Sequence, residues 1–401
     1  MRQTCPLLIM VIGVAVTVAD PCVASGQPQE MRLPGARAAI DASRYSSIQA
    51  ALDALPDEGG VVNLPPGTFE INEPLRVAKG DILVKGAGTA THIKNVNTEG
   101  GSALILQHAS GGDNRKAELW RIRLADFRIT GNEKSGHGID ARRINEVFID
   151  GVTVSYHGGD GIRLYFCYED PRICNSLITY NKKTGLNAIG CHDVVVSANQ
   201  FEENNDALRF IDGFNLCMTG NCLDDHLGNG VVIENTYGSV VSGNMIEECK
   251  GIAIVLDRDC YGIALSANVI AHDASGGIAL RDAHGCAVSA NTFTIMGSDA
   301  LNIGPKSGRI TVTGNNFSNS YIGEDKTKRS ANDLTAAGMV LDGASGITVV
   351  GNLFSGVRPK ALTVKGKPSK SVVFTNNVLI DVSSDHKKLE ASLVKDNLED
   401  K

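Results

Sequence analysis

The chain has no excess of basic charge: 38 Lys and Arg stand against 45 Asp and Glu, a formal charge of −7. A general nucleic-acid binder needs a basic field, so that partner class is set aside. Ten cysteines in 401 residues are too few for a disulfide-built framework. After the N-terminus no stretch approaches 18 uninterrupted apolar residues, the length a membrane span needs. There is no Asp-rich calcium loop and no His-Glu-x-x-His helix. Aromatic residues are few, at 5%, and glycine is abundant, at 44 residues. Hydrophobic content of 42% still suffices for a sizeable core, which excludes wholesale disorder.

The first 25 residues read as a secretory signal peptide. Arg2 precedes a mostly apolar run from Leu7 to Ala19, and Val23-Ala24-Ser25 offers small residues for cleavage. The competing reading is a buried N-terminal helix or an uncleaved anchor. A signal peptide implies a secreted or periplasmic protein, with no membrane span after cleavage. It would take Cys5 and Cys22 with it and leave the other cysteines in an oxidising compartment.

A repeat dominates the rest of the chain. Ser197-Ala198-Asn199, Thr219-Gly220-Asn221, Ser242-Gly243-Asn244, Ser266-Ala267-Asn268, Ser289-Ala290-Asn291 and Thr313-Gly314-Asn315 restate one phrase, with Asn175 before the series and Asn352 and Asn377 after it. The asparagine steps run 24, 22, 23, 24, 23 and 24, then 37. A period near 23 suits a leucine-rich repeat or a parallel β-helix. Leucines at fixed offsets and a helical segment are missing. Each repeat instead holds three short alternating pieces, as in Gly251–Ile254, Ile263–Leu265 and Val269–Ile270, joined by Gly, Asn and Asp. The fold class is therefore all-β, a parallel β-helix of about eleven or more coils. Two residues after each asparagine stands an apolar residue (Leu177, Phe201, Leu223, Ile246, Ile270, Phe293, Phe317, Phe354). Coils rise by about 4.8 Å, so these residues and the asparagines should form two interior ladders.

The ends read as capped. Ser46–Leu55 suits a short amphipathic helix started by a serine cap. Residues 385–398, with Leu389, Leu393, Val394 and Leu398, suit a terminal helix over the last coil. The predicted domains are the signal peptide over 1–25, one β-helix over 36–384, and a C-terminal cap or tail over 385–401.

The stretch SSIQAALDALPDEGGVVNLPPGTFEI and the asparagine-corner coils resemble the pectate-lyase-like right-handed β-helix proteins over nearly all of residues 40–380. That resemblance implies a right-handed coil and a secreted or periplasmic protein acting on a polysaccharide, with its site on the outer face of the first strand of each coil. The fold hosts lyases, hydrolases, epimerases, transferases, adhesins and phage tailspikes, so it does not name the reaction. Polygalacturonase-like hydrolases carry, in order, Asn-Thr-Asp, Asp-Asp, Gly-His-Gly and Arg-Ile-Lys. Here Gly136-His137-Gly138 precedes Asp224-Asp225 and the other two are missing. Mannuronan epimerase-like proteins carry Asp-Pro-His, where this chain has Asp170-Pro171-Arg172.

Strand alternation gives the outward residues of the first strand in three rows. The entrance row is His137, Asp160, Thr184, Asp206, Asn229, Lys250, Gly276 and Asp299. The central row is Asp140, Arg163, Asn187, Arg209, Val232, Ala253, Ala279 and Asn302. The exit row is Arg142, Tyr165, Ile189, Ile211, Glu234, Val255, Arg281 and Gly304. Charged and hydroxyl groups crowd the coils of residues 137–211, where Tyr156, Tyr165, Tyr168 and Tyr180 also fall, so that half is the candidate site. Asp160 with Arg163 and Asp206 with Arg209 could equally be ordinary surface ion pairs.

Three functions fit. A lyase on a uronate polymer needs a carboxylate neutraliser, a base and a donor for the leaving oxygen. Arg163, Arg209 and Asn187 supply the first, and Tyr165 or His137 the proton transfers, with Asp140, Arg142 and Glu234 as further substrate contacts. A glycoside hydrolase would use Asp160 and Asp206, two coils or about 10 Å apart. The third is a non-catalytic carbohydrate-binding or surface protein. Asp224, Asp225 and His226 form a second acid–base candidate, or a solvated turn. The sequence fixes no cofactor; calcium between a uronate and Asp160 or Asp206 is an option. Cys167 and Cys191 occupy equivalent places in successive coils and form either a disulfide or two stacked thiols, while Cys286 reads as core. The long step places an insertion, Tyr321–Asp333, as a groove wall or a solvated loop.

Overall fold

A computed structural model describes residues 33–111, 114–318 and 336–400. The predicted signal segment 1–25 and the predicted insertion Tyr321–Asp333 lie outside these residues. Among the described residues no helix is long and apolar enough to cross a membrane.

From Arg37 onward the chain winds as a parallel β-helix. A typical coil is Leu186–Ile189, Val195–Ser197 and Gln200–Glu202. Each piece pairs in parallel with its counterparts one coil before and one coil after. The first sheet has 12 strands, from Leu75–Val77 to Arg358–Lys365, and the third has 14, from Gly67–Ile71 to Leu398–Asp400. The second sheet runs between them, from Ala38–Asp41 to Leu393–Lys395. Alternate residues of every strand point inward and fill a core of Ile, Leu, Val and Phe.

The asparagine corner is an interior chain of amides. Oδ1 of Asn221 accepts the backbone N–H and the side-chain Nδ2 of Asn199, each at 3.0 Å, and the pattern repeats through Asn244, Asn268, Asn291, Asn315, Asn352 and Asn377. Each Nδ2 also reaches a main-chain carbonyl of the preceding second strand, as Asn268 does to Val241 at 3.0 Å. All these amides are buried, and the ladder leaves them satisfied. Asn175 does not belong to it. Asn175 is exposed with φ 53°, the outward position that Ala198 fills one coil later, and Ser176 takes the ladder place by accepting the Val152 amide and donating its own N–H to Asn199. The apolar ladder shifts with it: Leu177 is exposed and Ile178 is buried. Two polar residues in a row left the register open by one position there. Further on, the 37-residue step leaves the ladders intact. Phe317 stacks on Phe293 at 4.6 Å and on Phe354 at 4.7 Å, nearly coplanar in both cases.

At the N-terminal end a helix, Ile48–Asp53, begins at Ser47, whose hydroxyl accepts the Ala50 amide. Gln49 accepts the Arg76 N–H at 2.8 Å and donates to its carbonyl at 3.2 Å. One side-chain amide thus stands in for the strand that the first sheet lacks on that edge. The helix predicted over 385–398 does not form. Leu389–Glu390, Leu393–Lys395 and Leu398–Asp400 are strands of one more turn, and Asn397 continues the amide ladder from Asn377. Apolar residues four apart fit a helical stripe, but these segments find parallel strand partners in the preceding coil, and that pairing prevails.

A second buried column lines the corner that leads into the first sheet: Ser135, His157, Asn181, Asn204, His226, Cys249 and Asp273. Oδ1 of Asn181 accepts the His157 amide, Asn204 that of Asn181, and Asp273 that of Cys249. Elsewhere in the core Cys167 and Cys191 are free thiols, fully buried, donating to the Ala141 and Leu164 carbonyls. Cys286 is buried core.

This packing sets two expectations for stability. Asn268→Ala strips a buried amide from its neighbours and should cost about 2–4 kcal/mol in chemical denaturation, whereas Asn175→Ala should stay within about 0.5 kcal/mol. Burial holds His157 down at about 3 and His226 at about 4, against an ordinary 6.5. At these two histidines the unfolded chain therefore binds more protons between those values and 6.5, so their contribution to stability is complete above pH 6.5 and falls as the pH drops toward 4. The thermal midpoint should decline over that window. The double change His157→Asn and His226→Asn, which copies Asn181 and Asn204, should flatten the decline; an unchanged slope would refute the assignment.

Candidate functional site

The first sheet presents its outward residues in register. Asp140, Arg163, Asn187, Arg209 and Val232 are direct partners on successive strands, and so are Arg142, Tyr165, Ile189, Ile211 and Glu234. The rows then slip by two residues from the predicted order. Val232 pairs with Val255 and Glu234 with Asp257, and Ile252 rather than Lys250 pairs with Gly276. Ile252, Ile254 and Leu256 alternate, so two phases of one period fit the sequence. The phase adopted puts Ala253 inward and fully buried, in a column of small residues with Gly230 and Gly277. A Cβ on Gly230 would lie 2.5 Å from the Ala253 carbonyl oxygen, so coils at this column have no room for larger groups. The same constraint explains Gly136-His137-Gly138: a Cβ on Gly138 would meet Val154 Cγ1 at 2.4 Å. These glycines serve coil packing.

The entrance row ties coils together. Asp160 Oδ1 accepts the Thr184 amide, Asp206 Oδ1 the Asn229 amide at 2.7 Å, and Asn229 Oδ1 the Ile252 amide. His137 Nδ1 lies 3.0 Å from the Asp160 amide nitrogen and 3.3 Å from Asp160 Oδ2. One nitrogen serves one of these at a time: unprotonated it accepts the amide, protonated it donates to the carboxylate. Asp160 is buried, which pushes its carboxyl up. Hydrogen bonds from His137, Asn187 and the Thr184 amide outweigh burial and hold it below the ordinary value.

The predicted residues gather into three groups. Asp140, 2% exposed, receives Arg163 as a two-point fork, Nε to Oδ1 at 2.9 Å and Nη2 to Oδ2 at 3.0 Å, and also Arg142 Nη2 at 2.9 Å. Two guanidinium groups on one carboxylate leave an excess positive charge at this point of the sheet. The second group is His137, Asp160 and Asn187, with Asn187 Nδ2 3.1 Å from Asp160 Oδ2. In the third, Arg209 bridges Asp206 at 3.2 Å and Glu234 at 3.0 Å, and here carboxylates outnumber arginines. Arg258 extends it by bridging Glu234 and Asp212. Arg258 and Asp212 were missed by sequence reading because they lie just past the strand, at the corner. Tyr165, the register partner of Arg142, stands edge-on to Phe166 at 4.6 Å, and Arg143 lies over that phenylalanine.

The alternative acid–base group does not assemble. His226 is fully buried in the interior column, while Asp224 and Asp225 meet Glu248 at the surface, where burial and neighbouring carboxylates raise both aspartates. The oxygens of Asp160 and Asp206 already accept hydrogen bonds, and neither carboxylate belongs to a convergent group of three ligands among the described residues, so calcium finds no ready site there.

Asp140 is the electrostatic anchor of the first group. Asp140→Ala leaves two arginines uncompensated at the sheet surface and should cost about 3–5 kcal/mol by denaturant titration. Glu133→Ala, which removes only the exposed pair with Lys182, should leave the denaturation midpoint nearly unchanged.

Residues 182–361 match the family described as periplasmic copper-binding protein (NosD). Comparison with curated proteins finds no match. Among solved structures, the chain is similar to the mannuronan C-5 epimerase AlgE4 A-module of Azotobacter vinelandii, at 17% identity over 88% of this chain and 99% of that one, TM-score 0.53. It is also similar to the Yersinia enterocolitica family 28 exopolygalacturonase, at 11% identity over 83% and 79%, TM-score 0.59. A third is the GH87 α-1,3-glucanase catalytic unit of Streptomyces thermodiastaticus, at 15% identity over 94% and 69%, TM-score 0.54. Identities this low speak to the fold alone. The chain has the right-handed parallel β-helix fold of these structures.

Proposed function

We propose that the protein is a secreted or periplasmic enzyme acting on a uronic-acid-containing polysaccharide by β-elimination, with its site on the first sheet between His137 and Glu234. The observation that carries this reading is the Asp140 group. Arg163 spends its Nε and Nη2 on Asp140, which leaves Nη1 for a ligand, and Arg142 adds a second positive charge beside it. A uronate carboxylate held there makes the adjacent C–H more acidic. Tyr165 or His137 takes that proton, the electron pair forms the new C=C bond, and the glycosidic C–O bond breaks with its oxygen taking a proton back from the same group. Asn187, fixed by Asp160, and Arg209 and Glu234 are substrate contacts further along the row. The hydrolytic reading through Asp160 and Asp206 gains nothing from the geometry, since both are buried and hold main-chain amides.

The copper named in the NosD description finds no matching ligand set. The two groups of metal-ligating side chains that converge among the described residues are Asp259, Asp282 and His284, and Asp224, Asp225 and Glu248. They are mostly carboxylates, which suit hard cations rather than copper.

Incubation with pectate, alginate and glycosaminoglycans tests the proposal. At least one polymer should give the ultraviolet absorbance of an unsaturated uronate. Arg163→Ala should lower kcat/KM at least a hundredfold, about 2.7 kcal/mol of transition-state stabilisation. Reducing ends without absorbance would point to hydrolysis. Binding to a glycan without product would leave a binding protein.

A further inference from the structure

Beyond the charged groups, the outward rows of the first sheet fall away at one strand to two small residues side by side. Gly276 and Ala279 take the entrance and central places there, where the strand before has Ile252 and Val255 and the strand after has Asp299 and Asn302. The missing side chains leave a notch of about 190 Å³, walled by Ile252 on one side, by Asp299 and Asn302 on the other, and by Arg281 at the exit. At ~30 Å³ per water it holds about six waters, the volume of one sugar ring. The charges on its walls cancel. Arg281 lies 3.6 Å from Asp257, and Asp299 receives Lys365 Nζ at 3.1 Å on both oxygens and Asn302 Nδ2 at 3.3 Å. This differs from the Asp140 group, where two guanidinium groups share one carboxylate. An aliphatic wall and floor opposite an amide and a carboxylate match a sugar ring, which has C–H groups on its face and hydroxyls on its edge.

We propose that the notch is a subsite for an uncharged sugar residue, and that the substrate is a heteropolymer in which uronate and uncharged residues alternate. This rests on the uronate reading of the Asp140 group and adds a spacing to it. Arg163 and Ala279 hold the same central place on strands five steps apart, about 24 Å at ~4.8 Å per step. A sugar residue in an extended chain is about as long as one coil is high, so a polymer lying along the row sets one residue on each strand. Five is odd, so in an alternating polymer a uronate at Arg163 brings an uncharged residue to Ala279. The row between them keeps that alternation over its first three steps. Arg209 stands two steps from Arg163, where the next uronate falls, while Asn187 and Val232 take the odd places. Val255, at the fourth step, is the one uronate place without a cation in the row.

Calorimetry and turnover with the full chain test this on four polymers. Unsulfated chondroitin and the rhamnogalacturonan backbone alternate uronate with an uncharged sugar; polygalacturonate and polymannuronate do not. At least one alternating polymer should bind at least tenfold tighter than both homopolymers. Ala279→Phe fills the notch at a place where the strands before it carry valine, and Asn302→Ala strips its polar wall. Each should weaken binding of the alternating polymer about tenfold, raising KM with kcat kept, with unchanged circular dichroism and unchanged homopolymer binding. Homopolymers bound as tightly as alternating ones, alternating-polymer binding untouched by both substitutions, or a wild type that binds none of the four overturns the proposal. The two readings fail separately. Binding lost in Ala279→Phe, with no unsaturated product from any polymer, removes the elimination and keeps the subsite. Unsaturated product with KM unmoved by both substitutions removes the subsite and keeps the elimination.

Discussion

The amide chain at the asparagine corner is the constraint from which the rest of this structure descends. Each Oδ1 takes two N–H groups from the coil before it, so a coil that advanced by one residue would leave three buried groups unpaired. That penalty fixes the register of every strand from Asn199 to Asn397, including across the 37-residue step between Asn315 and Asn352. Side chains alternate with period two, so a fixed register decides which residues face outward and which face the core. Neighbourhood on the surface is a consequence. Asp140 and Arg163 are separated by 23 positions in sequence, and they meet because Ser176, in the ladder place, accepts the Val152 amide and Asn181 accepts that of His157, which holds their coils one spacing apart.

On such a surface, electrostatics is governed by partial burial. Asp140, Asp160 and Asp206 are nearly inaccessible, yet each sits on the outer side of a strand. Their desolvation is offset in two different ways. Asp160 and Asp206 accept main-chain amides of the next coil, to which Asp206 adds a single contact from Arg209. Asp140 relies on arginine forks, and it draws two. That difference separates structural carboxylates from one that organises cations. It is the reason the proposed ligand contact lies at Arg163 rather than at the two aspartates, although all three acids look alike in the sequence.

Much of this is legible in the sequence alone. The period, the corner asparagines and the alternating pieces dictate a parallel coil, and the outward rows from His137 to Glu234 come from counting. The failures are instructive because each occurs where two physical solutions share one pattern. Asn175 and Ser176 are adjacent polar residues, and only the φ 53° of Asn175 reveals which one leaves the core. Ile252, Ile254 and Leu256 permit two phases, resolved by the tight small-residue column at Ala253. Leu389, Leu393 and Leu398 suit a helix as well as one more turn. The pairing of long side chains was not legible at all: Arg209 reaches both its own Asp206 and Glu234 of the next coil, and no count of residues selects between them.

A coil of this kind also separates functions by column rather than by position along the chain. Each outward row samples one residue per repeat, so the composition of one row is free of the next. The first sheet concentrates Asp, Arg and His where polar chemistry is proposed, while the two outward rows of the second sheet from Val195 and Ser197 to Val373 and Thr375 hold no charge, and Arg309 and Lys370 stand further back on the same strands. The corner between the second and third sheets shows how backbone geometry sets such a column: its positions from Ala198 to Asn376 all have positive φ and hold Ala, Gly or Asn, and the adjoining Thr219 and Thr313 carbonyls accept from the ladder amides of Asn221 and Asn315.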